Sequence, residues 1–257
     1  MNQSMAGKGR PLLLVHGLGS SKAAWTPILR QLEGEREVIA IDLPGHGDTP
    51  AEPDSDTFEG LSRSLEGWLR ARGLGGVDMV GSSMGGRLVL EMARRGCSGA
   101  AVALDPGGFW AGWERTYVHS TLRASVAALR TLRPLLPTLC RNVATRTALL
   151  AQLSAKHWAL DEGLVASELT SFAETPTFDA LLKDLAYGPA QPGPAAASSG
   201  RIAIGWGRHD RLCLPVQASR AIEAFPDARL VWFEESGHFP MWDQPEETIA
   251  TILAATT

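Results

Sequence analysis

Cysteine, tyrosine, net charge and long apolar runs are all scarce in this chain, and each scarcity removes a class of explanation. Three cysteines, Cys97, Cys140 and Cys213, leave at least one thiol unpaired and lack the spacing of metal ligands. Their small number points to a reducing compartment, and the cytoplasm is the expected location. A formal charge of -4 supplies no basic footprint for nucleic acid. No apolar run approaches the length of a transmembrane helix, and the polar stretch Met1 to Arg10 carries no signal-peptide core. Neither nucleic acid nor a membrane is an expected partner, and no motif calls for a cofactor or a metal.

With 44% hydrophobic and 20% charged residues in a length of 257, the chain suits one large α/β domain or a core carrying a sizeable insertion. Eight tryptophans stand against two tyrosines. Trp110, Trp113, Trp158 and Trp206 fall in or near regions that could line a pocket, although core packing accounts for most aromatics.

Up to residue 106 the chain repeats a strand, loop, helix rhythm. Leu12 to His16 is a continuous apolar run, suited to a strand buried on both faces. Apolar residues at 25, 28, 29 and 32 mark a helix face, and Val38 to Ile41 reads as the next strand. Phe58 to Leu69 is helical, and Val77 to Val80 and Ala100 to Leu104 add two strands. Strands alternating with helices predict a mainly parallel central sheet flanked by helices.

Residues 107–187 break this rhythm. Helices are expected over Val118 to Leu129, over Leu164 to Phe172, and from Thr175-Pro176 through Leu185, with Pro134 and Pro137 interrupting. This all-helical insert is expected to pack over the sheet as a cap. Residues 188–200 hold three prolines and no charge, and read as a flexible or semi-extended linker. Strands at Arg201 to Trp206 and Arg229 to Phe233 then resume the sheet, with a helix at Pro215 to Phe225 between them. Asp243 and Glu246 form a near capping box for a closing helix. The expected division is 11–106 with 201–257 for the core, 107–187 for the helical cap and 188–200 for the linker.

Gly81-Ser82-Ser83-Met84-Gly85 is the most informative stretch. Glycines on either side permit a sharp, strained turn from strand into helix, which lifts the Ser83 hydroxyl to the apex. A neutral hydroxyl is a poor nucleophile and needs a base held against it. His238, in Glu235-Ser236-Gly237-His238-Phe239-Pro240, follows a strand and is the candidate base. Asp210, in Gly205-Trp206-Gly207-Arg208-His209-Asp210, also follows one and is the candidate to fix the imidazole. Asp105 competes for that acid role because it too ends a strand. Asp78 lies inside a strand, and His209 points elsewhere from a straight backbone. His16 and His46 are expected to organise loops by hydrogen bonding. Charge developing on a substrate carbonyl needs donors, and the backbone N–H groups of Met84 and of Leu18, in His16-Gly17-Leu18-Gly19, are placed for that oxyanion hole.

These landmarks, with Asp42-Leu43-Pro44-Gly45-His46-Gly47, resemble the α/β-hydrolase superfamily, in its helical-cap branch of carboxylesterase-like enzymes. The order Ser83, Asp210, His238 is the order of that family's triad. The resemblance covers residues 11–106 and 201–254 well and the insert only as a general cap. It implies an α/β-hydrolase fold and a serine hydrolase that cleaves small to medium hydrophobic carboxylic esters through an acyl-enzyme. It assigns Ser83 as nucleophile, His238 as base and then acid, Asp210 as its partner, and Leu18 and Met84 as oxyanion amides.

Lactone and carbon–carbon bond hydrolases share this core and remain alternatives, as does a non-catalytic hydrolase-like binding protein. Carbon–carbon bond hydrolases usually carry tryptophan after the catalytic histidine, where this chain has Phe239. An aspartate in place of Ser83 would indicate a haloalkane dehalogenase or an epoxide hydrolase. Peroxide-dependent turnover, as in the cofactor-free haloperoxidases, is an expected side activity.

Many relatives begin with an antiparallel hairpin, but the residues before Leu12 are too few for two strands. The Val38 to Ile41 strand is therefore expected near a bare sheet edge. A bare edge invites pairing, so a loop or a second copy in a homodimer is expected to cover it.

Overall fold

A computed structural model describes residues 1–256. Strands β1 (Gln3–Ala6) and β2 (Pro11–Val15) come first, then α1 (Thr26–Glu33), β3 (Glu37–Ile41) and α2 (Phe58–Ala71). Next are β4 (Val77–Ser82), α3 (Met84–Arg94) and β5 (Ser98–Leu104). Five consecutive helices follow: α4 (Trp113–Leu132), α5 (Leu136–Arg141), α6 (Val143–Leu150), α7 (Glu162–Glu174) and α8 (Phe178–Tyr187). The chain closes with β6 (Ile202–Gly207), α9 (Gln217–Ala224), β7 (Arg229–Phe233), α10 (Pro240–Asp243) and α11 (Pro245–Thr256).

The seven strands form one sheet in the order β1-β3-β2-β4-β5-β6-β7, parallel except for β1. Every residue of β4 is buried, which is why its apolar run shows no alternation with polar residues. Alternation appears instead in which face each side chain enters. Leu12 and Leu14 pack with Trp25 and Ile28 on one face, while Leu13 and Val15 pack with Leu61 and Leu65 on the other. The chain leaves β2 for β3 on one side and returns to β4 on the other. Such a reversal opens a crevice at the carboxyl ends of the two strands, the usual place for ligands in open α/β sheets.

The N-terminus departs from expectation. No hairpin forms, but residues 3–6 still make one strand, which pairs antiparallel with β3 from Gln3–Ile41 to Ala6–Val38. The Val38 to Ile41 edge is therefore covered by the chain itself. The physical ground for a partner chain at that edge goes with it.

In the insert, α8 starts at Phe178, so Pro176 lies before the helix and does not open it. Pro137 falls within the first turn of α5, where a missing N–H removes no intrahelical bond. Residues 188–200 form no helix or strand. They are tied to α3 through Gln191, whose side chain bonds Arg87 at 3.2 Å and Glu91 at 3.1 Å.

Candidate active site

Ser83 joins β4 to α3 with φ +57° and ψ -117°, a conformation that costs a non-glycine residue free energy. The turn persists because its neighbours leave no alternative. A Cβ on Gly81 would lie 2.1 Å from the Gly85 carbonyl oxygen, and one on Gly85 would lie 2.1 Å from that of Val15. Only glycine admits such close backbone approach. The Ser83 N–H is held by the Leu104 carbonyl at 2.9 Å. Together these contacts aim the serine away from the sheet and into a cavity of about 220 Å³.

His238 lines the same cavity. Its Nδ1 lies 2.8 Å from Asp210 Oδ2, and both side chains are almost wholly buried. The other Asp210 oxygen accepts from the Leu212 and Cys213 N–H groups at 2.7 and 3.0 Å. The carboxylate is therefore fixed by backbone on one side and holds the imidazole on the other. With Nδ1–H directed at Asp210, Nε2 is left as the proton acceptor. No hydrogen bond joins Ser83 to His238 among the described residues. Such contacts often close only when substrate binds.

Leu18 also borders the cavity, and the residue before it touches the serine: a Cβ on Gly17 would meet Ser83 Cβ at 3.1 Å. Met84 is the first residue of α3, where an N–H has no intrahelical acceptor. Leu18 and Met84 thus both lie next to Ser83, one across the cavity wall and one in sequence.

The remaining carboxylates and histidines fall into place around this group. Asp105, with φ +44°, accepts from the Gly207 N–H at 2.8 Å and lies beside Asp210. Burial, and then the Asp210 charge, push its carboxyl well above the usual range, so it retains a proton. Among the described residues it makes no hydrogen bond to the imidazole, whose Nδ1 is taken by Asp210. Asp78 sits near the start of β4, away from Ser83, paired with Arg36 at 2.7 Å and Arg10 at 3.0 Å. His209 is exposed.

His16 accepts the Leu43 N–H at Nε2 and approaches the Gly17 carbonyl with Nδ1, at 3.0 and 2.8 Å. Burial lowers its pKa to about 4, so it stays neutral and ties two loops together. His46, lowered to about 3 by burial and then by His16, also stays neutral and bonds the Pro44 carbonyl within its own loop at 3.1 Å. Cys213 Sγ lies within 4.8 Å of the Asp210 and His238 ligand atoms, but burial raises its thiol well above the ordinary value. It keeps its proton.

Of the tryptophans, only Trp110 borders a cavity at Ser83. Trp113 and Trp158 are exposed, and Trp206 is core, its indole N–H donated to the Cys213 carbonyl at 2.8 Å. The cavity walls are mostly leucine, phenylalanine, valine and alanine from α4, α6, α7 and the start of α8, with Ser125 and Gln152 as the polar residues of the insert.

Two buried carboxylates at this site depart from the sequence reading, Asp243 in its role and Glu168 altogether. Asp243 caps no helix; its oxygens take the Gly237 N–H at 2.7 Å, Ser154 Oγ at 2.5 Å and the Ala155 N–H at 2.8 Å. Glu168, on α7, accepts from Ser20 Oγ at 2.6 Å, just beyond the Gly17–Gly19 turn. Its signal in the sequence is a lone acid beside Val165, Leu169 and Phe172 in an apolar helix face.

Residues 12–251 match the family model described as alpha/beta hydrolase family. The chain belongs to that family and is a hydrolase by class. It is 26% identical to Lipase 1 of Psychrobacter immobilis over 93% of this chain and 74% of that one. With the dihydrolipoyllysine-residue acetyltransferase component of the acetoin cleaving system of Cupriavidus necator it shares 27% identity over 96% of this chain and 63% of the relative. Its fold is similar to a thermophilic esterase of Thermogutta terrifontis, with a TM-score of 0.76 at 21% identity over 98% and 91% of the chains. It is similar as well to the enol-lactonase of Burkholderia xenovorans LB400, with a TM-score of 0.75 at 18% identity over 98% and 95%. No helix among the described residues is long and apolar enough to cross a membrane.

Proposed function

We propose that the chain hydrolyses neutral, hydrophobic carboxylic esters through an acyl-enzyme on Ser83. The observation that carries this reading is the His238–Asp210 pair, joined at 2.8 Å, on the wall of the apolar cavity into which the strained Ser83 opens. Ser83 Oγ attacks the carbonyl carbon while His238 Nε2 takes its proton. The imidazolium that forms is stabilised by Asp210. The Leu18 and Met84 amides receive the oxyanion. As the carbon–oxygen bond breaks, His238 returns the proton to the departing alkoxide. Water then enters, is deprotonated by the same nitrogen, and releases the acid.

Helices α4 to α8 act as the cap, supplying most of the apolar wall and limiting water. Among the described residues lining the cavity there is no lysine or arginine to meet a substrate carboxylate, which favours a neutral ester over an acidic lactone or diketone. All three cysteines are free, in keeping with a cytoplasmic setting.

The test is a pre-steady-state burst of alcohol from an activated ester, followed by organophosphate inactivation and mass spectrometry of the peptide around residue 83. A burst and a stoichiometric adduct on Ser83 are expected. Inactivation that leaves Ser83 unmodified ends the reading.

A further inference from the structure

Ser83 stands between two cavities of very different size, and only one of them reaches His238. The cavity bordered by His238 and Phe239 measures about 220 Å³, and the recess bordered by Met84, Gly107 and Trp110 about 30 Å³. Leu18, Leu122 and Leu212 wall both, so the two meet at the serine.

This inequality has a chemical direction. The leaving oxygen must take its proton from the imidazole, so the alcohol part of an ester has to lie on the side that His238 lines. The acyl part is then turned toward the recess. A site needs roughly 10–15 Å³ of such space to hold one water, so the recess admits a chain of about two heavy atoms beyond the carbonyl. The alcohol side has several times that room, bounded by Val126, Leu129, Phe172 and Phe178.

We infer that the enzyme is selective for short acyl groups, acetyl or propionyl, carried on bulky apolar alcohols. The inference rests on the acyl-enzyme reading above and adds to it which half of the substrate is restricted. Trp110 sets the limit, since it borders the recess and not the larger cavity.

Two isomeric esters test it without any variant. Octyl acetate and ethyl octanoate have the same composition and opposite distribution of bulk. Their hydrolysis is followed by pH-stat titration of the intact chain. We expect kcat/KM for octyl acetate to exceed that for ethyl octanoate by roughly tenfold to a few hundredfold, the range over which pocket size discriminates apolar groups.

Trp110→Ala, checked for folding by circular dichroism, is expected to narrow that ratio by raising turnover of the octanoate. Equal rates, or preference for ethyl octanoate, overturn the partition while leaving the ester reading in place. No turnover of either ester, with Ser83 unlabelled by organophosphate, overturns both.

Discussion

The Asp243 carboxylate accepts the Gly237 N–H at 2.7 Å, one residue before the imidazole that lines the Ser83 cavity. The same group holds Ser154 Oγ and the Ala155 N–H, in the segment between α6 and α7. That segment returns the favour of position directly, since the His238 N–H is donated to the Leu153 carbonyl at 2.9 Å. The histidine loop and the helical insert are thus one hydrogen-bonded unit, and a movement of either is passed to the imidazole.

Asp243→Asn keeps the shape of this anchor but exchanges one acceptor for a donor facing other donors. We expect kcat on a short ester to fall about tenfold or more, because a small misplacement of a reacting group costs up to roughly a hundredfold, with KM changed much less. A purely structural role predicts loss of stability with kcat per folded molecule intact. Steady-state kinetics normalised to organophosphate-titrated sites separates the two.

Ser83→Gly should lose hydrolysis and gain stability. A residue at φ +57° and ψ -117° is strained unless it is glycine, and such strain costs on the order of 1–3 kcal/mol. Against this stands the larger backbone entropy of glycine in the unfolded chain, about 0.5–1 kcal/mol. The balance favours the variant by about 1 kcal/mol. Urea denaturation of both proteins checks it, and a less stable Ser83→Gly would show that the elbow is not under strain.

Asp210→Asn should lower kcat by roughly 10⁴, as expected when the wrong imidazole tautomer is favoured. Asp105→Asn should do far less. Asp105 keeps its proton and bonds Gly207 and Asp210, whereas the imidazole Nδ1 is bonded to Asp210. Comparable losses in both variants, measured on one ester, would reassign the acid.

What the sequence makes legible here is what local backbone chemistry dictates. The Gly81–Gly85 turn is readable because only glycines fit against the Val15 and Gly85 carbonyls. The existence of the parallel strands, though not their order in the sheet, follows from apolar runs separated by helix faces. Strand β1 is not readable in this way, because Ser4, Met5 and Ala6 are exposed, Met5 by 58%, and only Gln3 is half-buried, so no apolar pattern announces it. Asp243 has the spacing of a helix cap, yet donors from the insert and from Gly237 take its oxygens. Glu168 and Ser20 lie 148 residues apart, and nothing in either neighbourhood points to the other. Tryptophan count misleads as well: Trp113 and Trp158 face solvent, and the cavity is walled mostly by aliphatic side chains and phenylalanine.

Glu168 should make folding stability fall as pH rises. Its carboxyl is buried against Ser20 and Ser21, and burial raises its pKa from 4.5 to about 7, with a further push from Asp42, which is itself paired with Lys22. Below 4.5 the group is protonated in both the folded and the unfolded chain, and it contributes no pH dependence. Between 4.5 and about 7 the unfolded chain releases the proton and the folded chain keeps it. Folding then takes up a proton, and stability declines through this window before levelling off. The full drop from this one group is about 3 kcal/mol.

Glu168→Gln has no proton to lose and keeps an amide oxygen to accept the Ser20 hydroxyl. The stability gap between variant and wild type should therefore widen from under about 1 kcal/mol at pH 5 to about 3 kcal/mol at pH 8 in favour of glutamine. Taking the difference cancels the titration of every other group. A gap of equal size at both pH values would mean that Glu168 is ionised when folded, with its charge met by the two serines.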